Sequence, residues 1–402
     1  MRTLIVSDLH LGSHIGSDVL RDPELRASLL GAVEEVDRVV LLGDVIELRQ
    51  GPPREAMSAS RPFFEDLGRA LGDRELVIVA GNHDHALVEP WLALRGAEEA
   101  PPPLGVEQLM APEEASSAYR RIAGWAAPAR VRIAYPGLWV RSDVYATHGH
   151  YLDSHLTVPT LERLTVGAMS RVLGHPAASF ASVGDYEAVG APVFAWRDAV
   201  ARDARTGSAL NGMATVGAWT ALRGRRRSRE GGRGAGAGRR EPAGGGARRA
   251  RALTHELRRR ALVAAFPLAV AALNRAGLGP LRAEISTDEL RRAGLKAMDE
   301  VAVRLGLGDA HVVFGHTHRA GPLPGDDERE WLGRGGARLI NTGSWTYSPI
   351  FLAGAPGQSP YWPGACVVVE DSGAPVVRRL LQDAAHGQLA SSGRLPLTRP
   401  RV

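Results

Sequence analysis

Five short apolar runs, each breaking off at a small residue and then at Asp, Asn or His, constrain the fold of this 402-residue chain more than any other feature. They read TLIVSDLH, RVVLLGD, ELVIVAGNHD, DVYATHGH and AHVVFGHTH, and they deliver Asp8 and His10, Asp44, Asn82-His83-Asp84, His148 and His150, and His316 and His318. Four to six β-prone residues with a glycine or small residue at the exit describe a buried strand that ends in a turn. Helix-like stretches separate the first of them, DPELRASLLGAVEEV at 22–36 and RPFFEDLGRALGD at 61–73. Strand alternating with helix predicts βαβ units and a largely parallel sheet, with the polar residues at the carboxyl ends of its strands. RLINTGSW, CVVVE and PVVRRLL read as further strands that close a second layer, so a layered α/β/β/α body is expected.

From 151 to 300 the pattern turns helical: TVPTLERLTVGAMSRVLG, APVFAWRDAVARDA from residue 191, ALTHELRRRALVAAFPLAVAALNRA and STDELRRAGLKAMDEVAVRLG. Embedded in it, residues 223–251 are Arg- and Gly-rich with almost no large apolar side chain. Such a composition cannot bury enough surface to offset chain entropy and reads as a disordered linker. The expected organisation is a discontinuous catalytic domain, 1–150 and 301–390, interrupted by a helical cap insert at 151–300 that stands over the polar strand ends.

The net charge is +5, yet residues 223–260 hold fourteen Arg against three Glu, a local balance of +11 that leaves −6 for the rest. Basicity confined to a low-complexity stretch, without interleaved aromatics, argues against a nucleic-acid groove in the body. It leaves contact with an anionic membrane surface open, because Arg258–Arg260 precede the apolar run at 261–273. That run is too short to span a bilayer and contains Pro267. The single cysteine, Cys366, permits no internal disulfide. The opening strand leaves no room for a cleavable signal peptide. A cytoplasmic protein is expected, with peripheral membrane contact as the variant.

Asp8 alone would serve as a turn cap and His10 alone as a surface histidine. Taken in order with Asp44, Asn82, His148, His316 and His318, they form a set of carboxylate, imidazole and amide donors suited to Mn²⁺, Fe or Zn²⁺. The blocks D-x-H, G-D, G-N-H-D, H and G-H-x-H resemble those of the calcineurin-like metallophosphoesterase superfamily over roughly residues 3–150 and 300–381. The resemblance implies a four-layer α/β/β/α sandwich and a dinuclear phosphohydrolase with two divalent metal ions, Mn²⁺ first and Fe or Zn²⁺ after it. It implies one ion on Asp8, His10 and His318, a second on Asn82, His148 and His316, and Asp44 bridging both. A hydroxide between the ions would attack phosphorus, and His83, oriented by Asp84, would protonate the leaving oxygen.

The DLHL opening and GHTHR ending also resemble the UDP-2,3-diacylglucosamine pyrophosphatases, which insert helices beside the site to receive acyl chains. The implied partner is a small phosphorylated or nucleotide-linked substrate, in the lipid-linked case an acylated one. Nuclease activity and a non-catalytic binding module are the alternatives. His150, His14 and Arg319 flank the blocks, each read either as a neighbour of the site or as a solvated side chain, and NTGSW at 341–345 as a rim.

Overall fold

The computed structural model describes residues 1–202, 270–282, 286–352 and 357–393. The stretch read as a linker at 223–251 and most of the apolar run at 261–273 lie outside them.

The first half of the chain alternates as its pattern requires: β1 (Thr3–Val6), α1 (Pro23–Glu34), β2 (Arg38–Leu42), α2 (Pro53–Leu71), β3 (Glu75–Val79), α3 (Glu89–Gly96), β4 (Glu107–Met110), α4 (Pro112–Ala115), α5 (Ser117–Trp125), β5 (Arg130–Arg141) and β6 (Val144–Thr147). Then follow α6 (Leu161–Val172), α7 (Val183–Arg202), α8 (Thr287–Arg304), β7 (His311–Phe314), β8 (Ala320–Gly321), β9 (Arg338–Thr342), β10 (Ala365–Val369), β11 (Val376–Arg379) and α9 (His386–Ser392). Two helices begin eight residues before their expected starts, α2 at Pro53 rather than 61 and α7 at Val183 rather than 191. Both contain a proline, Pro62 and Pro192, where a first-turn proline would have marked the start.

β1, β2, β3 and the first half of β5 pair in parallel. From Gly137 onward β5 pairs antiparallel with β6, and β6, β7 and β9 continue in parallel. β5 therefore carries one continuous sheet from a first half into a second. Period-two alternation assigns each strand residue to a layer. Leu4, Val6, Val39, Leu41, Leu76 and Ile78 point to the helix side and pack with α1, α2 and α5. Ile5, Val40, Leu42, Val77 and Val79 point the other way and pack against Leu138, Val140, Val144, Ala146, Val313 and Ile340 of the second half. Tyr145, Val312, Phe314 and Leu339 face outward again, under Val166, Tyr186, Val189, Met298 and Val301 of α6, α7 and α8. Three apolar clusters between four layers make the expected sandwich.

One expectation needs correction. Of the late strands, β9 lies beside β7 in the second half, but β10 and β11 add to the far side of β1 in the first. Strand order is a matter of non-local pairing, and local apolar runs do not encode it.

Candidate metal centre

Every turn that carries an expected ligand leaves a parallel strand, and neighbouring turns lock to one another through the backbone. Asp8 N donates to Gly43 O at 3.1 Å, His10 N to Asp44 O at 2.9 Å, and Gly315 N to His148 O at 2.9 Å. Carboxylates cross the other gaps, between the turns after β2 and β3 and between those after β1 and β7: Asp44 Oδ1 accepts from His83 N at 2.7 Å, and Asp8 Oδ2 from His316 N at 3.0 Å. Among the described residues the non-glycine residues with positive φ are Asp8, His10, Asp44, His316 and His318. All five are expected ligands, held in a conformation that L-residues populate rarely and at a cost of about 1–3 kcal/mol each. Gly43, at φ 83°, is demanded by packing as well, since a Cβ there would lie 2.5 Å from the His148 ring.

The seven expected ligands converge. Three groups have donor atoms close enough to share an ion: Asp8, His10 and His318; His10, Asp44 and His83; Asp44, His148 and His316. His318 Nε2 lies 3.2 Å from Asp8 Oδ1, His148 Nε2 lies 3.3 Å from Asp44 Oδ2, and His10 Nε2 lies 3.7 Å from Asp44 Oδ2. Asn82 joins through its amide. With Oδ1 inward, that oxygen sits 3.1 Å from His148 Nε2, beside His316 Nδ1 and Asp44 Oδ2; with the amide turned over, Nδ2 donates to those three and Oδ1 accepts from Arg49 Nη1 at 3.0 Å. The turned amide satisfies the protein alone, and the inward oxygen completes a ring of lone pairs around one point, as a cation requires.

Each of the four imidazoles aims one nitrogen at this centre and has the other engaged by the protein. His10 Nδ1 donates to Glu47 Oε2 at 2.9 Å, His148 Nδ1 to Leu42 O at 3.0 Å, and His316 Nε2 to Asp153 Oδ2 at 3.0 Å, while His318 Nδ1 meets Thr346 Oγ1 at 3.2 Å. Such partners fix ring orientation and leave the inward nitrogen available to a cation. Asp8 Oδ1 is buried and accepts no hydrogen bond. This orphaned oxygen, with the donor set around it, fits divalent metal.

Charge follows from burial and proximity. Burial alone would raise the Asp8 carboxyl, but the imidazoles of His318 and His148 outweigh it and hold it at about 2. Asp44 is held well below the usual range against burial by His148 and His83. Conversely, burial opposes the charge on His10 and His148, yet Glu47 raises the first to about 9 and Asp44 the second to about 10. The centre is a carboxylate field that draws positive charge.

Beside it, His83 does not have the partner expected of it. Its Nδ1 donates to Glu47, at 2.9 Å from Oε2 and 3.0 Å from Oε1. Asp84 instead accepts backbone N–H groups from Gly81 at 2.7 Å, Val45 at 2.8 Å and Ile46 at 3.3 Å. Adjacent side chains diverge, and the short Asp84 carboxylate turns back onto Gly81 of its own loop and across to Val45 and Ile46 of the turn after β2. Orientation of His83 thus belongs to Glu47, and Asp84 braces the loop.

The flanking residues also separate. Arg319 is tied to Asp326 and lies over the Trp331 ring at 5.3 Å, so it is committed away from the centre. His14 sits 3.7 Å from Glu55. His150 is buried, with neither ring nitrogen hydrogen-bonded and its ring against His148, Tyr151 and Phe194; it is not a solvated side chain. NTGSW does more than form a rim. Trp345 N donates to Asp8 O at 3.0 Å, and Asn341 Nδ2 donates to Gly315 O at 3.0 Å, bracing two ligand turns.

Glu47, Asp153 and Thr346 belong to none of the sequence blocks. Glu47 had a signal, an acid inside the apolar run VVLLGDVIEL; Asp153 and Thr346 had none, because only folding brings them to His316 and His318.

Residues 1–177 match the calcineurin-like phosphoesterase family. No curated protein matches the chain. The matched stretch, residues 1–177, carries five of the seven converging candidate ligands together with His83 and Glu47, and over that stretch the chain is a match to the calcineurin-like phosphoesterases, a family of metal-dependent hydrolases of phosphoric esters.

Proposed function

We propose that this protein hydrolyses a phosphoester or pyrophosphate bond of a small phosphorylated or nucleotide-linked substrate, using two divalent ions, with Mn²⁺ as the first choice. The observation that carries the reading is the arrangement of the four imidazoles, each with one nitrogen engaged by the protein and the other turned to Asp8, Asp44 or Asn82. Asp8, His10 and His318 would hold one ion, Asn82, His148 and His316 the other, and Asp44 lies between the groups. Bound there, the ions supply the Lewis acid that neutralises phosphoryl charge and activates the attacking water.

The chain's own residues account for access and proton transfer. The side chains of His318 and His83 are 34% and 21% exposed while Asp8 and Asp44 are buried, which supports approach of the ester from the side of these two histidines. With Nδ1 engaged by Glu47, His83 presents Nε2 as the atom that gives a proton to the departing oxygen.

The test is a screen of Mn²⁺-loaded protein on p-nitrophenyl phosphate, bis-p-nitrophenyl phosphate and a nucleotide-sugar pyrophosphate, with chelated protein and Asp44→Asn as controls. Turnover of at least one class, lost on chelation and restored by Mn²⁺, is expected. Protein that carries two ions and turns over none of the three would overturn the reading.

A further inference from the structure

Helix α7 carries a buried carboxylate that the proposed chemistry does not use. Glu187 accepts from the Tyr135 hydroxyl at 2.6 Å and the Tyr151 hydroxyl at 2.6 Å through Oε1, and lies 3.2 Å from His85 Nε2 through Oε2. All four residues are less than a tenth exposed. The helix adds Phe194, whose ring contacts those of His85 and His150 with centroids at 5.0 and 5.4 Å.

The positions of these partners matter. His85 stands three residues after Asn82 in the turn that leaves β3, and Tyr151 three residues after His148 in the turn that leaves β6. Tyr135 belongs to β5, the strand that joins the two halves of the sheet. A single carboxylate thus links the loop of Asn82 to the loop of His148, which come from opposite halves of the sandwich. An ionised carboxylate away from water persists only when its oxygens are hydrogen-bonded, so each of these three donors is required where it stands. The other group, Asp8, His10 and His318, is braced by Glu47, Thr346 and Trp345.

We propose that Glu187 is a positioning residue for the Asn82–His148–His316 side of the metal centre, and that α7 is a clamp setting the spacing of two of those ligands. The proposal rests on the two-ion reading above. It predicts an asymmetric defect: loss of the clamp weakens one ion and spares the other.

The experiment uses the full chain, freed of metal and titrated with Mn²⁺, with bound ion counted per chain and apo melting temperature recorded for wild type, Glu187→Gln and Tyr151→Phe. Wild type is expected to take two ions. Glu187→Gln should keep one at wild-type affinity and bind the other about 10-fold more weakly, the lower end of the cost of losing a direct partner of a metal ligand, because Glu187 reaches the ligands only through the loops that carry them. Its Mn²⁺ dependence of turnover should shift to higher concentration by the same factor and reach a similar plateau. Tyr151→Phe removes one hydroxyl with little change of shape; it should show the same asymmetry at smaller size, and carries the test if Glu187→Gln fails to fold. A lowered apo melting temperature with both affinities unchanged, or an equal loss at both sites, would overturn the clamp and leave the two-ion reading standing. Wild-type protein that holds a single ion would overturn the two-ion reading, and the clamp with it.

Discussion

Glu47 and Asp84 are two of the buried carboxylates near His83, and substitution separates what they do. Glu47 receives both His10 and His83, so Glu47→Gln should weaken Mn²⁺ at the Asp8–His10–His318 group by about 10–100-fold and slow turnover as well. Asp84 receives three backbone N–H groups, and burial together with the nearby Asp44 charge raises its carboxyl to about 6. Asp84→Asn sets an amide donor among those N–H groups, so the melting temperature should fall by several degrees, at about 1–3 kcal/mol for a buried polar group left unsatisfied. The dependence of rate on leaving group should remain that of wild type. That dependence is the signature of the proton donor. His83→Ala should keep its metal content and lose about 10²–10⁴ in rate, less for a nitrophenolate that leaves unprotonated. Rates across a series of esters of graded leaving-group pKa distinguish all three variants.

At the scale of the element, the glycines in the blocks are explained by the neighbouring strand end. A Cβ on Gly315 would fall 2.2 Å from Ser7 Oγ and 2.5 Å from Asp8 Oδ2, so the turn after β7 can approach the turn after β1 only without a side chain. The same turn holds His316 and His318 at positive φ. Gly315→Ala should therefore displace Asp8 and reduce Mn²⁺ affinity at the group it shares with His10 and His318, while far-UV circular dichroism stays that of wild type. Unchanged affinity in a folded variant would mean that the turns can separate without cost.

Across the whole molecule the ligands divide between the halves of the sheet. Asp8, His10, Asp44 and Asn82 come from turns after β1, β2 and β3, and His148, His316 and His318 from turns after β6 and β7. Each proposed ion would draw ligands from both, so metal would add a cross-link between two layers that already meet through the apolar contacts of Ile5, Val40, Val77, Val313 and their neighbours and through polar contacts such as His148 Nδ1 to Leu42 O. Binding to the folded state alone contributes about 2.7 kcal/mol at a hundredfold excess over the dissociation constant. The melting temperature should accordingly rise with Mn²⁺ concentration and fall on chelation, and in Asp44→Ala it should respond far less. Calorimetry at several Mn²⁺ concentrations checks this. No helix among the described residues is long and apolar enough to cross a membrane.

The strands and the polar residues at their ends were legible in the residues alone, because an apolar run closed by a small residue before Asp, Asn or His is a local signal, whereas the reading of those residues as metal ligands came with the family resemblance. Helix starts at 53 and 183 were not, since an interior proline imitates a first-turn one. The placement of β10 and β11 beside β1, the transfer of His83 from Asp84 to Glu47, and the roles of Asp153, Thr346 and Glu187 depended on tertiary structure. Each of these is a pairing between groups distant in the chain or turned aside from their neighbours. Local composition determines which residues can ligate or donate; only the folded backbone decides which partner lies within hydrogen-bonding distance of them.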